Sequence, residues 1–130
     1  MKPTNEDAVE ITRVLALWAH IMDDHELDRL GECLTEDAMW DGSVFGFDRV
    51  AGLDAITAVL SAPGHAKAHH TTNIVVSEGP GDEARARSKG LGLLEGGGVA
   101  SVVYADDLRR TGDGWRISRR VIHITWPQGW

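Results

Sequence analysis

Glu83-Ala84-Arg85-Ala86-Arg87-Ser88-Lys89-Gly90-Leu91-Gly92-Leu93 alternates small and large side chains without a break. Ala84, Ala86, Ser88, Gly90 and Gly92 fall on one side of an extended chain. Arg85, Arg87, Lys89, Leu91 and Leu93 fall on the other. A period of two is the mark of a strand. The row of small residues lets another element, or a bend, approach one face closely. The flanking stretches carry the same signal, so strands are predicted at Lys67–Glu78, Glu83–Leu94, Val99–Arg110 and Trp115–Trp126. Short turns separate them: Gly79-Pro80-Gly81-Asp82, Glu95-Gly96-Gly97-Gly98 and Thr111-Gly112-Asp113-Gly114. Turns this short join neighbouring strands as antiparallel hairpins.

Upstream the period changes. Ala8, Ile11, Leu15, Trp18 and Met22 recur at helical spacing, and Val14 and Ile21 widen the stripe. Thr4 or Asn5 can cap the start of this helix, and it should end near Asp23–Asp24. Asp24 can then cap a shorter helix through Leu27, Leu30 and Leu34. A short strand is expected at Ala38–Asp41 and a third helix at Leu53–Ser61, closed by Pro63-Gly64. Helices precede strands, so the class is α+β. Strands of this length must twist and bend to wrap a core. The economical packing is a cone-shaped α+β barrel, with the first helix in the concave face of a curved antiparallel sheet.

Size and charge narrow the function. The 130 residues suit one domain, and 42% hydrophobic residues suffice for a core. Residues 1–37 hold ten acidic and three basic side chains, and the rest hold ten of each, for a net charge of −7. An acidic chain argues against nucleic-acid binding, which needs a basic surface. There is one cysteine, Cys33, so no internal disulfide framework is possible. No stretch has a signal-peptide layout or the roughly 18 apolar residues of a membrane span, so a cytoplasmic location is expected, with no membrane partner.

Four stretches, in order, resemble the SnoaL-like branch of the nuclear transport factor two-like superfamily. They are Leu17-Trp18-Ala19-His20-Ile21-Met22-Asp23 with Leu27-Asp28-Arg29-Leu30; Leu34-Thr35-Glu36-Asp37-Ala38; His69-His70-Thr71-Thr72-Asn73; and Tyr104-Ala105-Asp106-Asp107-Leu108 running on to Gly114-Trp115-Arg116-Ile117. The resemblance implies one domain over residues 1–130. It includes polyketide cyclases, scytalone and bile-acid dehydratases, a dehydrochlorinase and ketosteroid isomerase, together with non-catalytic subunits. In the dehydratase and dehydrochlorinase members, an Asp near the end of the first helix pairs with a His early in a long strand. Those positions match Asp23 and His69. Trp18 stands where the bile-acid dehydratase has a tyrosine, and the dehydrochlorinase has a basic residue at the position matching Arg119.

These residue types suit proton transfer. Histidine is poised for it near neutral pH, and a carboxylate on its other nitrogen sets the tautomer. Asp23 could instead be a helix cap, and His69 a partly exposed strand residue. Only one of His69 and His70 can face the cone, because neighbours on a strand diverge. Thr71 and Asn73 share a face with His69 by alternation, and Arg119 and His123 share one with Ile117 and Trp115. Trp18, His70, Asn73, Tyr104, Arg119 and His123 are therefore the candidate substrate contacts. Met22, Trp40, Phe45 and Phe47 could line or gate the pocket. His69-His70 lacks further ligands at metal spacing, and Cys33 lacks a paired base, so neither a metal nor a cofactor is expected.

The expected function is a lyase or isomerase acting, without a cofactor, on a hydrophobic cyclic small molecule. The alternatives are a binding or interaction module of the same fold, or a subunit of an oxygenase-type assembly. A homodimer or homotrimer is expected through the Leu91, Leu93 face. The aromatic tail Thr125–Trp130 is expected to cap the cone or a partner subunit.

Overall fold

The computed structural model describes residues 2–125. The elements run α1 (Asn5–Asp23), a 3-10 turn (Leu27–Glu32), β1 (Leu34–Asp41), a second 3-10 turn (Ser43–Phe45), β2 (Val50–Ala51), α2 (Leu53–Ser61), β3 (Ala68–Glu78), β4 (Ala84–Leu93), β5 (Val99–Thr111) and β6 (Gly114–His123). The fold is α+β. One six-stranded sheet has the order β2-β1-β6-β5-β4-β3. It curves without closing, so β2 and β3 remain edges of an open cone rather than meeting in a barrel.

α1 starts as its sequence dictates. The Thr4 hydroxyl accepts from the Asp7 N–H, and the Asp7 carboxylate accepts from the Thr4 N–H. Asp7 also accepts from the Trp115 indole and from Arg110. The Thr4 N–H first, and then the Trp115 indole, hold the Asp7 carboxyl well below its ordinary range. One short acidic turn thus ties the helix to the β5–β6 hairpin. The apolar stripe Ile11, Val14, Leu15, Trp18, Ile21 and Met22 is buried against the inner sheet face.

Three departures from the sequence reading matter for the site. The second helix is only the 3-10 turn, and Leu34 belongs to β1. Leu34 pairs in parallel with Ile117 of β6, and that ladder outcompetes a weak local helix containing Gly31. β1 therefore starts four residues earlier than expected.

The second departure is a bulge in β3. Thr72 pairs with Lys89 and Val75 with Arg87, so Asn73 and Ile74 together oppose Ser88. Asn73 sits in the left-handed region at φ 55°. An extra residue reverses the alternation, so His69 and Thr71 face inward before the bulge and Ile74 and Val76 after it. Asn73 is left exposed.

The third is a register shift in β6, where Asp107 pairs with Arg119 but Leu108 pairs with Ile117. Trp115 and Ile117 point inward on one side of the shift, Arg120 and Ile122 on the other. The strand ends at His123; its predicted extension to Trp126, and the tail read as a cap, run beyond the described residues.

Candidate active site

β4 carries the floor. Ala84, Ala86, Ser88, Gly90 and Gly92 are all buried and face the concave side. Gly90 is bare for a reason: a Cβ there would lie 2.5 Å from the Tyr104 ring and 2.7 Å from its hydroxyl. Tyr104, projecting inward from β5, lies flat across that gap. Gly90→Ala is expected to force the phenol out of place and to destabilise the fold by about 1–3 kcal/mol, the usual cost of overpacking. Thermal denaturation checks the stability, and the near-ultraviolet spectrum of the tyrosine checks the displacement.

Above this floor is a cavity of about 220 Å³. Its walls are largely aromatic: Trp18 from α1, Tyr104 from β5, Trp40 from β1, Phe45 and Phe47 from the segment after β1, and His65 before β3. His69 opens onto the cavity, and Val102, Ile122, Ala100 and Leu94 complete the apolar lining. Phe47 and His65 stack face to face at 4.3 Å, and His65 Nε2 is 2.9 Å from the Val59 carbonyl at the end of α2.

His69 is tied down from behind. Its Nδ1 lies 2.7 Å from Asp23 Oδ1, and its backbone N–H donates to both Asp23 oxygens at 3.0 and 2.9 Å. Asp23 ends α1, where the negative end of the helix dipole opposes an acid. These contacts offset that local cost. An ionised carboxylate only accepts, so in the neutral imidazole the proton sits on Nδ1 and Nε2 keeps its lone pair. The Trp18 ring meets the imidazole edge-on, with centroids 5.6 Å apart. The result is an oriented, partly buried imidazole with a basic nitrogen, on the wall of an apolar cavity.

The other candidates divide cleanly. Trp18 and Tyr104 line the cavity, 2% and 3% exposed. Burial pushes the Tyr104 phenol up from its ordinary pKa, and nearby Arg120 opposes that shift. The phenol therefore stays protonated at neutral pH and can donate. His70 is exposed on the opposite face from His69. Asn73 is turned outward by the β3 bulge and sits with Val75, Arg87 and Lys89 on the convex side. Arg119 is turned outward by the β6 shift and lies 4.0 Å from Asp107. His123 pairs with Val103 and points away from Ile122, which lines the cavity. As structured, none of these four contacts the cavity. Met22 lines an outer groove instead. Burial pushes the Cys33 thiol up to about 11, so it is no nucleophile at neutral pH.

One pair was not anticipated. Arg120 and Asp106 are fully buried and joined by two hydrogen bonds of 2.8 Å. The guanidinium lies 4.0 Å from the Tyr104 ring centroid and 4.6 Å from that of Trp18. It therefore braces two cavity walls from beneath. The hint in the sequence is Asp106, which shares the inward face of Tyr104; a buried acid needs a cation, and the facing residue is Arg120.

A family model described as SnoaL-like domain matches residues 3–121. None of the curated proteins compared matches the chain. Among solved structures, a Novosphingobium aromaticivorans protein provisionally named an aromatic ring hydroxylase is 28% identical, with 95% of this chain and 92% of that one covered and a TM-score of 0.78. An NTF2-like protein with a cystatin-like fold from the same organism is 26% identical, with coverage of 90% and 80% and a TM-score of 0.75. A third from that organism, provisionally named a scytalone dehydratase, is 20% identical, with coverage of 89% and 82% and a TM-score of 0.73; at that identity the likeness is one of fold.

Proposed function

The chain belongs to the SnoaL-like domain family, and from that premise we propose that it is a cofactor-free lyase of dehydratase or dehydrohalogenase type, or an isomerase, acting on a hydrophobic cyclic small molecule through Asp23 and His69. The observation that carries this reading is the 2.7 Å contact between His69 Nδ1 and Asp23 behind an imidazole that lines an apolar cavity. Nε2 takes a proton from an acidic C–H of the substrate. Asp23 holds the ring and stabilises the imidazolium that forms. The Tyr104 hydroxyl donates to the oxygen on which charge develops, or to the departing group. Aromatic walls keep water out, which strengthens each of these interactions.

The test is turnover of a panel of cyclic β-hydroxy ketones and cyclic halides, followed by the absorbance of the conjugated product. The wild-type protein is expected to convert at least one of them, with Asp23→Asn and His69→Ala folded but severely slowed. A protein that binds these compounds and converts none would be the binding module instead.

The reading extends to a homodimer or homotrimer. Leu91, Leu93 and Val99 on the convex face are 40%, 40% and 61% exposed. Sedimentation velocity is expected to show a dimer or trimer, and Leu91→Lys with Leu93→Lys to give monomers.

A further inference from the structure

The cavity's size, wall chemistry and floor define the ligand more narrowly than the dyad does. An apolar cavity of about 150 Å³ takes one benzene ring. The present cavity, at about 220 Å³, adds space for a second fused ring or a few substituents. No Lys, Arg, Asp or Glu is among the described residues lining it. A carboxylate or phosphate placed there would lose its hydration without gaining a counter-charge. The floor carries no side chain of its own at Gly90 or Gly92; the Tyr104 ring covers Gly90, the Ala66 methyl abuts Gly92, and a flat ring can lie against that apolar surface.

From these features we infer that the cavity takes a compact, uncharged molecule of one or two rings, and that the close contact of Gly92 with the Ala66 wall sets the limit on ring number. Gly92 pairs with His69 on one side and Ala100 on the other, so it lies directly beside the imidazole on the floor. A Cβ at Gly92 would lie 2.9 Å from the Ala66 Cβ, which forms the adjoining wall. The floor at this point is therefore closed to even one methyl group without moving the wall. Ala100, across the strand pair, is another small residue bounding the same space. A four-ring substrate exceeds this volume, and a charged acyl carrier would find no counter-charge in the lining. This inference deepens the proposed function and rests on the same cavity, but not on its chemistry.

Calorimetric titration tests it, with phenol, 2-naphthol, 2-naphthoate and androst-4-ene-3,17-dione as probes. Wild-type protein is expected to bind phenol and 2-naphthol, to bind 2-naphthoate at least tenfold more weakly than 2-naphthol, and not to bind the steroid. Gly92→Ala and Ala100→Leu are expected to weaken 2-naphthol at least tenfold more than phenol. Ala100→Leu fills the same space without touching the glycine backbone, so it decides the matter if Gly92→Ala does not fold. The inference is overturned if the steroid or 2-naphthoate binds as tightly as 2-naphthol. It is equally overturned if neither neutral ring binds, or if the folded variants leave the ratio of naphthol to phenol affinity unchanged. The same titrations on His69→Ala separate the two ideas. Ring binding that keeps this rank order, in a variant with wild-type turnover, overturns the lyase reading alone.

Discussion

Replacing His69 by alanine is expected to lower kcat by roughly 10²- to 10⁴-fold, the range that a positioned general base supplies. The fold should survive, because His69 lies on a cavity wall, with its side chain 13% exposed, rather than in the packed centre. Asp23→Asn is the sharper variant. Asparagine keeps the size and can still accept a hydrogen bond from Nδ1, but it removes the charge that stabilises an imidazolium. It can also rotate its NH₂ toward the ring and favour the wrong tautomer. The loss should therefore appear in kcat with a smaller change in KM, since Asp23 does not line the cavity. Steady-state kinetics on the best compound of the panel, with circular dichroism to verify folding, checks both variants. Wild-type kcat in either one would remove the dyad from the mechanism.

The second large effect concerns stability. Arg120→Met is expected to destabilise the protein by about 3–5 kcal/mol at neutral pH, because it strands the Asp106 carboxylate in the core. The penalty should depend on pH in a defined direction. Burial already pushes the Asp106 carboxyl up from its ordinary pKa, while Arg120 pulls it back down. Without Arg120 only the upward push remains, so the folded variant holds a proton over a pH range in which the unfolded chain has lost it. Stability then falls as pH rises through that range and recovers as pH falls toward the ordinary carboxylate value. Urea denaturation at pH 5 and pH 8 should show the smaller deficit at pH 5. Replacing both partners, as Asp106→Leu with Arg120→Met, should recover most of the loss, since no charge is then left buried alone. Ligand binding would remain weakened in the double variant, because the brace beneath Tyr104 and Trp18 is gone.

The two effects differ in how far they could be read ahead. Asp23 and His69 are 46 positions apart, and no local pattern joins them. Only the resemblance to relatives links them in the sequence, and the structure brings them within 2.7 Å. Trp18 lies on the apolar stripe that the helical spacing marks, and Tyr104 takes its inward position from the sheet. Arg119, His123 and Asn73 were misplaced for one shared reason. Alternation along a strand predicts facing only while the register is unbroken, and β3 and β6 each contain a shift. The same shift in β6 turns Arg120, the neighbour of Arg119, inward to meet Asp106.

The helical stripe of α1, the four long strands with their hairpins, and the row of small residues on β4 are legible in the chain before it folds. Each is a short-range pattern, dictated by the geometry of three or four consecutive residues. Which residues face the cavity beyond the two bulges, the parallel ladder of Leu34 with Ile117, and the meeting of Asp106 with Arg120 emerge only in the assembled sheet. Those outcomes depend on the register between strands. Register is set by what the whole sheet buries, so one extra residue in a strand, of little consequence to its neighbours in sequence, turns every following side chain to the other side.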